Sequence, residues 1–402
     1  SILGINKQLK KVTTHAGSGP TMKFFGRIHM SYFSFPEIDP GVAPLFGGNP
    51  QDSFGFRRVR LGVQGNITDN VFYRIQPEFA DPKDYQFRDL YIGVSDLPFL
   101  RNVTIGNHKR PYNLDQLNSS NDNVFIDRPF IGDAFNDSNR RFGISSSGHS
   151  KDLKYNWRSG VWNMRNIQSD GLFNGDNYQL ELASRLAATP WYDEYSNGRG
   201  YLHVAFSSAN RFPDGLAANN QSEYSTLPEA FTSNILATGP IFGAESESLY
   251  GFEALLNIGA FQLGAEYTET FIDRFGPVGP NLNFHGGYLY AAYMLTGEHM
   301  PWNRKTGILG RVEPFENFFG VRDCNGNVGR GWGAWQIAAR YSYIDLNDED
   351  ILAGSAESLT LGLNWYWNRH ARMQFNYMNG DAESGGAEGN YDIFGAQLEI
   401  FF

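Results

Sequence analysis

The sequence has almost no cysteine, because Cys324 is the only one among its 402 residues. One thiol cannot form an internal disulfide framework, so disulfide-rich folds are excluded and the redox compartment is left open. Long apolar runs are missing too. The longest ones, such as residues 288–295, are far shorter than the ~20 residues that a membrane-spanning helix needs. A helical membrane protein is therefore excluded.

Basic residues are outnumbered, with 33 lysines and arginines against 43 aspartates and glutamates, and the net charge is −10. This balance disfavours nucleic acid as a partner of the whole chain, although it does not exclude a local basic face. An apolar signal-peptide core is also missing from residues 1–14. We expect either a cytosolic protein or a mature chain from which a signal peptide has been removed.

Period-two alternation of apolar and polar residues runs from end to end, with little helical periodicity. Leu359, Leu361, Leu363 and Trp365, for example, alternate with smaller or polar residues. Most runs have about the ten residues that a tilted membrane strand requires. There are sixteen runs, so both chain ends lie on one side and the last strand can close on the first. The runs are 22–35, 53–65, 70–80, 85–95, 101–108, 139–147, 152–163, 176–189, 199–209, 246–258, 260–271, 284–297, 330–345, 357–368, 370–379 and 389–402.

Connections between these runs alternate in length. Those after even-numbered runs are mostly short, as at 65–70, whereas those after odd-numbered runs are often long, as at 109–139 and 209–245. Short turns on one side and long loops on the other are typical of outer-membrane barrels. One connection breaks this rule: residues 299–329 fall on the short-turn, periplasmic side, and we expect them to form a plug or vestibule element.

The two faces of the runs distinguish a membrane barrel from a soluble protein. Nearly every run has one apolar or aromatic face and one polar face, and a soluble barrel of sixteen strands would enclose more space than it could fill. A large soluble β-sandwich or solenoid is the alternative. We predict an all-β fold, a 16-stranded antiparallel transmembrane β-barrel in an outer membrane. Residues 22–402 would form this single barrel domain, in contact with lipid and lipopolysaccharide, after a periplasmic segment at 1–21.

The polar faces carry more cations than acids when strand phase is used to assign residues to the lumen. Six acids face inward by this reading: Glu78, Asp89, Glu181, Glu253, Glu266 and Glu399. A bore with an excess of fixed cations attracts anions. Alternatively, arginines and acids pair across strands and only stiffen the wall. The ten inward cations are Arg27, Arg58, Arg60, Arg74, Arg141, Lys154, Arg158, Arg185, Arg340 and Arg372.

The segment 109–139 is too long for an ordinary hairpin loop. It mixes hydroxyls, amides and carboxylates, including Ser119 and Ser120, with Arg128. Folded inward, it would narrow the bore at the point where selectivity is set. The alternative is an exposed loop that caps the barrel from outside.

Three blocks carry a family resemblance: residues 56–62 with their Arg-Arg-Val-Arg pattern, residues 106–120, and residues 333–342. Together they resemble the phosphate-selective porins O and P, which are trimeric sixteen-stranded channels of Gram-negative outer membranes. The resemblance extends over most of the chain, from Phe24 to Phe402. It implies a homotrimer and an inward-folded third loop.

The resemblance also implies an anion-binding constriction. Carried over to this sequence, its residues are Arg27, Arg57, Arg58, Asp89, Ser119, Ser120 and Arg128. Arg60 belongs to the same arginine cluster. Strand phase places Arg57 outward, so using both Arg57 and Arg58 would require a β-bulge. Gln116 stands where the family has a lysine, which puts tight phosphate selectivity in question.

We therefore predict an outer-membrane porin for passive diffusion of small anions, either phosphate-like or general. Two alternatives stay open: a diffusion channel for sugars or other solutes, and a structural or adhesion barrel that acts through its long loops. An enzyme is not expected, because the eight histidines are scattered and no nucleophile or zinc-protease motif is present. No cofactor or metal is expected.

Overall fold

The computed structural model describes residues 19–81, 83, 86–167, 178–216, 220–322 and 326–402. Most of the predicted N-terminal segment and Cys324 lie outside these residues. Within them, sixteen antiparallel strands close into one barrel, in which each strand pairs with its neighbours in the sequence and β1 pairs with β16. The predicted fold class and the number of strands are thus confirmed.

The strands keep the predicted order, with ends that differ by a few residues. They are β1 Lys23–Ile38, β2 Ser53–Asn66, β3 Val71–Glu78, β4 Gln86–Leu97, β5 Arg101–Lys109, β6 Arg140–His149, β7 Tyr155–Asn163, β8 Leu180–Tyr192, β9 Gly200–Phe212, β10 Ala244–Ile258, β11 Phe261–Arg274, β12 Leu282–Met294, β13 Ala334–Asp348, β14 Ile351–Asn368, β15 Ala371–Ser384 and β16 Ala387–Phe401.

Short elements lie in the connections between the strands. The helices are α1 Leu114–Leu117 and α2 Phe130–Phe135, together with a 3₁₀ turn, Ala43–Phe46. Two-residue strand pairs join Ser225–Thr226 to Leu236–Ala237, Trp302–Asn303 to Ile308–Leu309, and Val321–Arg322 to Val328–Gly329. No helix in the described part of the chain is long and apolar enough to cross a membrane.

Burial is inverted relative to a soluble protein. On β8, Leu180, Leu182 and Leu186 are exposed, whereas Glu181 and Arg185 between them are buried. Soluble proteins place leucine inside and leave unpaired glutamate and arginine outside. The apolar outer face therefore suits lipid, and the polar face surrounds the bore, as in outer-membrane barrels.

Two outer hairpins are longer than the alternation predicted. β14 begins at Ile351 and β15 ends at Ser384, so residues that we assigned to connections continue the strands. The pattern is lost there because the outward positions become polar, as at Ser355 and Glu357. The turn between β13 and β14 is only two residues, with Glu349 in the left-handed region at φ 50°.

Candidate functional site in the bore

The connection between β5 and β6, called here the β5–β6 segment (residues 110–139), is attached to strands distant from those it joins. Its Leu114 N–H donates to Glu266 Oε2 on β11 at 2.7 Å. Its Ile126 N–H donates to Asn376 Oδ1 on β15 at 2.8 Å. Both acceptor side chains are buried on the bore-facing side of their strands. These bonds fix the segment to the wall opposite its own strands.

The connection between β12 and β13, called here the β12–β13 segment (residues 295–333), also contacts the bore-facing wall. Gly307 O accepts from Arg185 Nη2 on β8 at 3.0 Å. Leu309 N–H donates to Asn118 Oδ1 at 2.9 Å. Residues 300–311, named the inner limb, therefore reach the β5–β6 segment, while a plug or vestibule role for the whole connection stays a prediction.

A cavity of about 580 Å³ remains between these segments and one side of the barrel. Among the described residues, its lining comes from β1–β8, the β5–β6 segment and the inner limb, and none comes from β9–β16. In the described part of the lining, eleven side chains are cationic and Asp89 is the single carboxylate. The cations are Arg27, Arg58, Arg60, Arg74, Arg88, Lys109, Arg128, Arg140, Arg158, Arg185 and Lys305.

The cavity brings together most of the predicted site. The predicted residues that line it are Arg27, Arg58, Arg60, Arg74, Asp89, Ser119, Ser120, Arg128, Arg158 and Arg185. They come from six strands and one connection, so their proximity depends on closure of the barrel and on the course of the β5–β6 segment.

Acids pair with several of these arginines. Asp89 contacts Arg74 Nε at 3.0 Å and Arg140 Nε at 2.5 Å. Glu253 contacts Arg185 Nε at 2.5 Å. These arginines therefore pair with acids across strands, which is the alternative to an anion-attracting role, because a buried pair holds both of its strands in place.

Three other cations of the lining lie apart from the carboxylates. Among the described residues, no carboxylate oxygen lies within 4.0 Å of the charged groups of Arg27, Lys109 or Arg158. Arg27 Nη1 donates to Ser120 Oγ at 2.7 Å. Arg27 is buried and Lys109 and Arg158 are partly buried, and cations in such positions without a carboxylate partner are costly for the fold unless an anion or water compensates them. This group therefore marks the part of the cavity best suited to an anion.

The bulge required by the resemblance is present in the β1–β2 ladder. His29 pairs with Arg58 and Met30 with Phe56, so Arg57 is the additional residue. A bulge redirects the side chain of the inserted residue. Both arginines approach one loop carboxylate, with Asp127 Oδ1 lying 3.2 Å from Arg57 Nη2 and 3.7 Å from Arg58 Nη2. Strand phase alone was thus wrong about Arg57, which lies beside the cavity rather than in its lining.

Two further predicted residues lie in the framework around the cavity. The Gln116 side chain is buried inside the β5–β6 segment, where its Nε2 donates to Gly132 O at 2.6 Å. Arg141 donates to Met164 O at 2.7 Å and to Asp137 O at 3.1 Å. Both side chains are directed to backbone carbonyls, and neither belongs to the lining of this cavity.

Arg340 and Arg372 hold loops to the wall and do not line the cavity. Arg340 contacts Glu229 at 2.8 Å, and Arg372 contacts Glu399 at 2.6 Å while donating to Asn123 O at 2.8 Å. Lys154 was assigned to a strand, but it lies in the exposed turn before β7, where its N–H donates to Asp152 at 3.1 Å. Such a side-chain-to-backbone bond forms a turn where alternation alone suggests a strand.

Sequence analysis missed four cations of the lining: Arg88, Lys109, Arg140 and Lys305. Arg88 is skipped in the β3–β4 register, because Gln76 pairs with Asp89 and Pro77 pairs with Phe87. Proline within a strand lacks the ladder N–H and favours bulges, so Pro77 was an available signal. Lys109 was within the 106–120 block, but the contacts of its side chain depend on the fold of the β5–β6 segment.

Burial also shifts the pKa values of charged groups in the β5–β6 segment. It raises the pKa of the Asp133 carboxyl from 3.8 to about 7, where nearby Asp127 adds repulsion and Arg128 opposes the rise. Burial lowers the pKa of Arg128, and Asp115 opposes that change. Around this cavity and elsewhere in the described ranges, no group of three or more metal-ligating side chains is present.

A closed sixteen-stranded barrel with an apolar outer face and a polar bore is the architecture of outer-membrane porins, which are channels. The chain belongs to the phosphate-selective porin O and P family, whose model matches residues 30–399. The predicted family and the outer-membrane location are thereby confirmed.

Individual relatives are distant. The chain is 27% identical over 392 residues to an uncharacterised protein of Caulobacter vibrioides, covering 91% of this chain and 72% of that protein. It is 22% identical over 200 residues to Porin O of Pseudomonas aeruginosa, covering 47% of this chain and 43% of that protein. The fold is also similar to an anion-selective porin from Comamonas acidovorans, with a TM-score of 0.56, 14% identity, and coverage of 95% and 100%.

Proposed function

We propose that this porin lets small anions diffuse passively across the outer membrane through the cation-lined cavity. The observation that carries the proposal is the charge of the lining, where the described residues supply eleven cations and one carboxylate. In a narrow bore with low-dielectric walls, such an imbalance concentrates anions and excludes cations. The β5–β6 segment would be the constriction, with the β12–β13 segment on the periplasmic side.

Lys109 supplies a positive charge near the position where Gln116 lacks one. Its Nζ donates to Leu117 O and to Asn118 O, both at 2.8 Å. The ammonium thus lies against the backbone just before Ser119 and Ser120, which line the same cavity. We infer that a lysine from the barrel wall takes over the role of the missing loop lysine, so the substitution at Gln116 does not abolish an oxyanion site.

Polar groups that lack hydrogen-bond partners favour a ligand in the cavity that can both donate and accept hydrogen bonds. Gln76 lines the cavity, and its amide nitrogen and oxygen have no hydrogen-bond partner among the described residues. The same holds for Arg27 Nε. Buried groups of this kind usually bind water or a ligand. A hydrogen phosphate ion, with acceptor oxygens and one or two hydroxyls, has the matching chemistry.

Transport through this site needs no covalent step. Arginine donors and serine hydroxyls would replace part of the anion's hydration shell through charge-assisted hydrogen bonds. Asp89 would limit affinity, because its carboxylate already engages Arg74 and Arg140. Conduction requires that the anion leave as readily as it enters. We further propose a homotrimer, on the resemblance to a trimeric family.

The alternatives predict different currents. A sugar channel would need an aromatic track, but Tyr91 and Trp157 are the only tyrosine or tryptophan among the described lining residues. An adhesion barrel acting through its loops needs no conductance at all.

Reversal potential and phosphate block test the proposal. Purified protein in a planar bilayer under a potassium chloride gradient should give an anion-signed reversal potential, and added phosphate should block the chloride current. An anion-signed potential without block would leave a general anion porin and remove the phosphate-like site. A cation-signed or zero potential, or no conductance, would contradict anion transport altogether.

A further inference from the structure

The β12–β13 segment contacts both faces of the barrel wall. Its inner limb lies on the bore side, where the Trp302 ring stacks on Tyr201 with a centroid distance of 5.6 Å. The described residues of 313–332, named the outer limb, lie on the opposite face. There the Phe318 ring meets Trp365 edge-on at 4.4 Å, and the Phe318 N–H donates to Trp367 O at 2.6 Å. One connection thus passes over the rim of the barrel.

The wall beneath the outer limb is lipid-facing. Trp335 and Trp365 share the outward side of β13 and β14 with the exposed Ile337 and Leu361. Both indole N–H groups donate to Trp332 O, at 3.2 Å from Trp335 and 2.8 Å from Trp365. These bonds satisfy the polar ends of the two rings without water and attach the outer limb to the barrel.

The outer limb also exposes three large apolar side chains of its own, beside the exposed Glu313, Glu316 and Asn317. Trp332 is 75% exposed, Phe315 67% and Phe319 60%. Aromatic residues of this kind gather at membrane–water interfaces, where their apolar bodies meet acyl chains and their polar edges meet headgroups. Arg322 and Arg330 are exposed on the same limb and can meet headgroup phosphates.

We propose that the outer limb is a membrane-interface anchor that inserts Trp332, Phe315 and Phe319 into the lipid at the barrel rim. The argument for lipid as the occupant is continuity, since the outer limb lies directly against the outward-facing Trp335 and Trp365 of β13 and β14. Anchored there, the outer limb fixes where the inner limb leaves the bore, and the inner limb supplies Thr306 and Ile308 to the cavity lining.

Tryptophan quenching by brominated lipid tests this anchor. The intact protein is placed in phosphatidylcholine vesicles in which one acyl chain is brominated near its headgroup end. The emission of Trp332 is obtained as the difference between the wild type and Trp332→Phe. The emission of Trp335 is obtained in the same way from Trp335→Phe. We expect brominated lipid to quench the Trp332 emission by at least as large a fraction as the Trp335 emission.

Trp302→Phe provides the internal reference, because Trp302 is buried on the bore side and its emission should survive brominated lipid. If Trp332 is quenched no more than Trp302 by the lipid but strongly by aqueous acrylamide, the limb extends into water and the proposal fails. If neither quencher reaches Trp332, it is covered by protein, such as a second copy of the chain, and the proposal fails as well. Neither outcome depends on ion selectivity.

Discussion

Replacing Lys109 by glutamine should weaken phosphate block of the chloride current while leaving the barrel intact. An ammonium has three hydrogen-bond donors. Two of them are taken by Leu117 O and Asn118 O at 2.8 Å, which leaves one N–H for an ion in the cavity. No carboxylate among the described residues lies within 4.0 Å to neutralise this charge. The variant therefore removes one charge-assisted contact and keeps a polar side chain of similar reach.

The magnitude follows from that single contact. A hydrogen bond to a charged group contributes about 1.5–3 kcal/mol. Since about 1.4 kcal/mol corresponds to a tenfold change in affinity, the phosphate concentration for half-block should rise between about 10-fold and about 100-fold. The reversal potential should stay anion-signed but move toward zero, because ten of the eleven lining cations remain.

Lys154→Gln is the matched control, as it makes the same chemical change in an exposed turn outside the cavity. It should alter neither block nor reversal potential. Lys109→Arg tests whether the charge of the side chain or the position of the β5–β6 segment matters. Because this variant retains the charge, phosphate block of its chloride current should stay close to the wild-type value. Equal block in Lys109→Gln and Lys154→Gln would refute the assignment of Lys109. Weak block in both Lys109 variants would indicate that displacement of the β5–β6 segment, rather than lost charge, is responsible.

Two further changes probe the framework around the cavity. Asp133→Asn should flatten the pH dependence of the free energy of unfolding. The raised pKa of the Asp133 carboxyl, about 7, means that its contribution is fully present below pH ~4 and is lost as pH rises through 7. That loss in the free energy of unfolding amounts to at most about 4 kcal/mol. Urea unfolding in vesicles at about pH 5 and about pH 8 checks this, and equal pH slopes in variant and wild type would contradict it. Arg185→Ala should destabilise the barrel by about 3–5 kcal/mol, because the buried carboxylate of Glu253 then loses its arginine partner. The same variant should raise single-channel conductance, because Gly307 O loses its hydrogen bond to the wall. Unchanged thermal unfolding and conductance would refute that role.

The strands could be read from the sequence because their pattern is local. Alternation with a period of two specifies which side chains share a face, and an apolar face opposite a charged one distinguishes a lipid-facing barrel from a soluble one. The register of β1 against β2 is not local. Nothing in residues 53–66 alone indicates that Arg57 is the inserted residue, so strand phase placed it on the wrong face.

Loop contacts could not be read for the same reason. Arg340 and Arg372 are buried on the same side of their strands as the bore, and Glu229 and Glu399 bind their charged groups. Arg372 further bonds to Asn123 O, which is 249 residues distant in the sequence. Only the closed barrel and the course of the connections decide whether an inward arginine holds a loop or faces the open cavity.

Under the proposed function, a chain with a net charge of −10 would select anions because the described lining of its cavity carries eleven cations and one carboxylate. The β5–β6 segment is bonded to β11 and β15, and Glu266 accepts two of its backbone N–H groups. Glu266 is thus occupied by the segment that it holds in place, while Glu253, Glu247 and Glu399 pair with arginines of the wall. On the other half, formed by β1–β8, Asp89 is the only carboxylate lining the cavity in the described residues. Field strength falls with distance and is screened by salt within about 10 Å, so acids at the outer loops contribute little at this point. On this proposal selectivity depends on which wall the segment covers, and we expect that moving the segment would change it more than changing the net charge would.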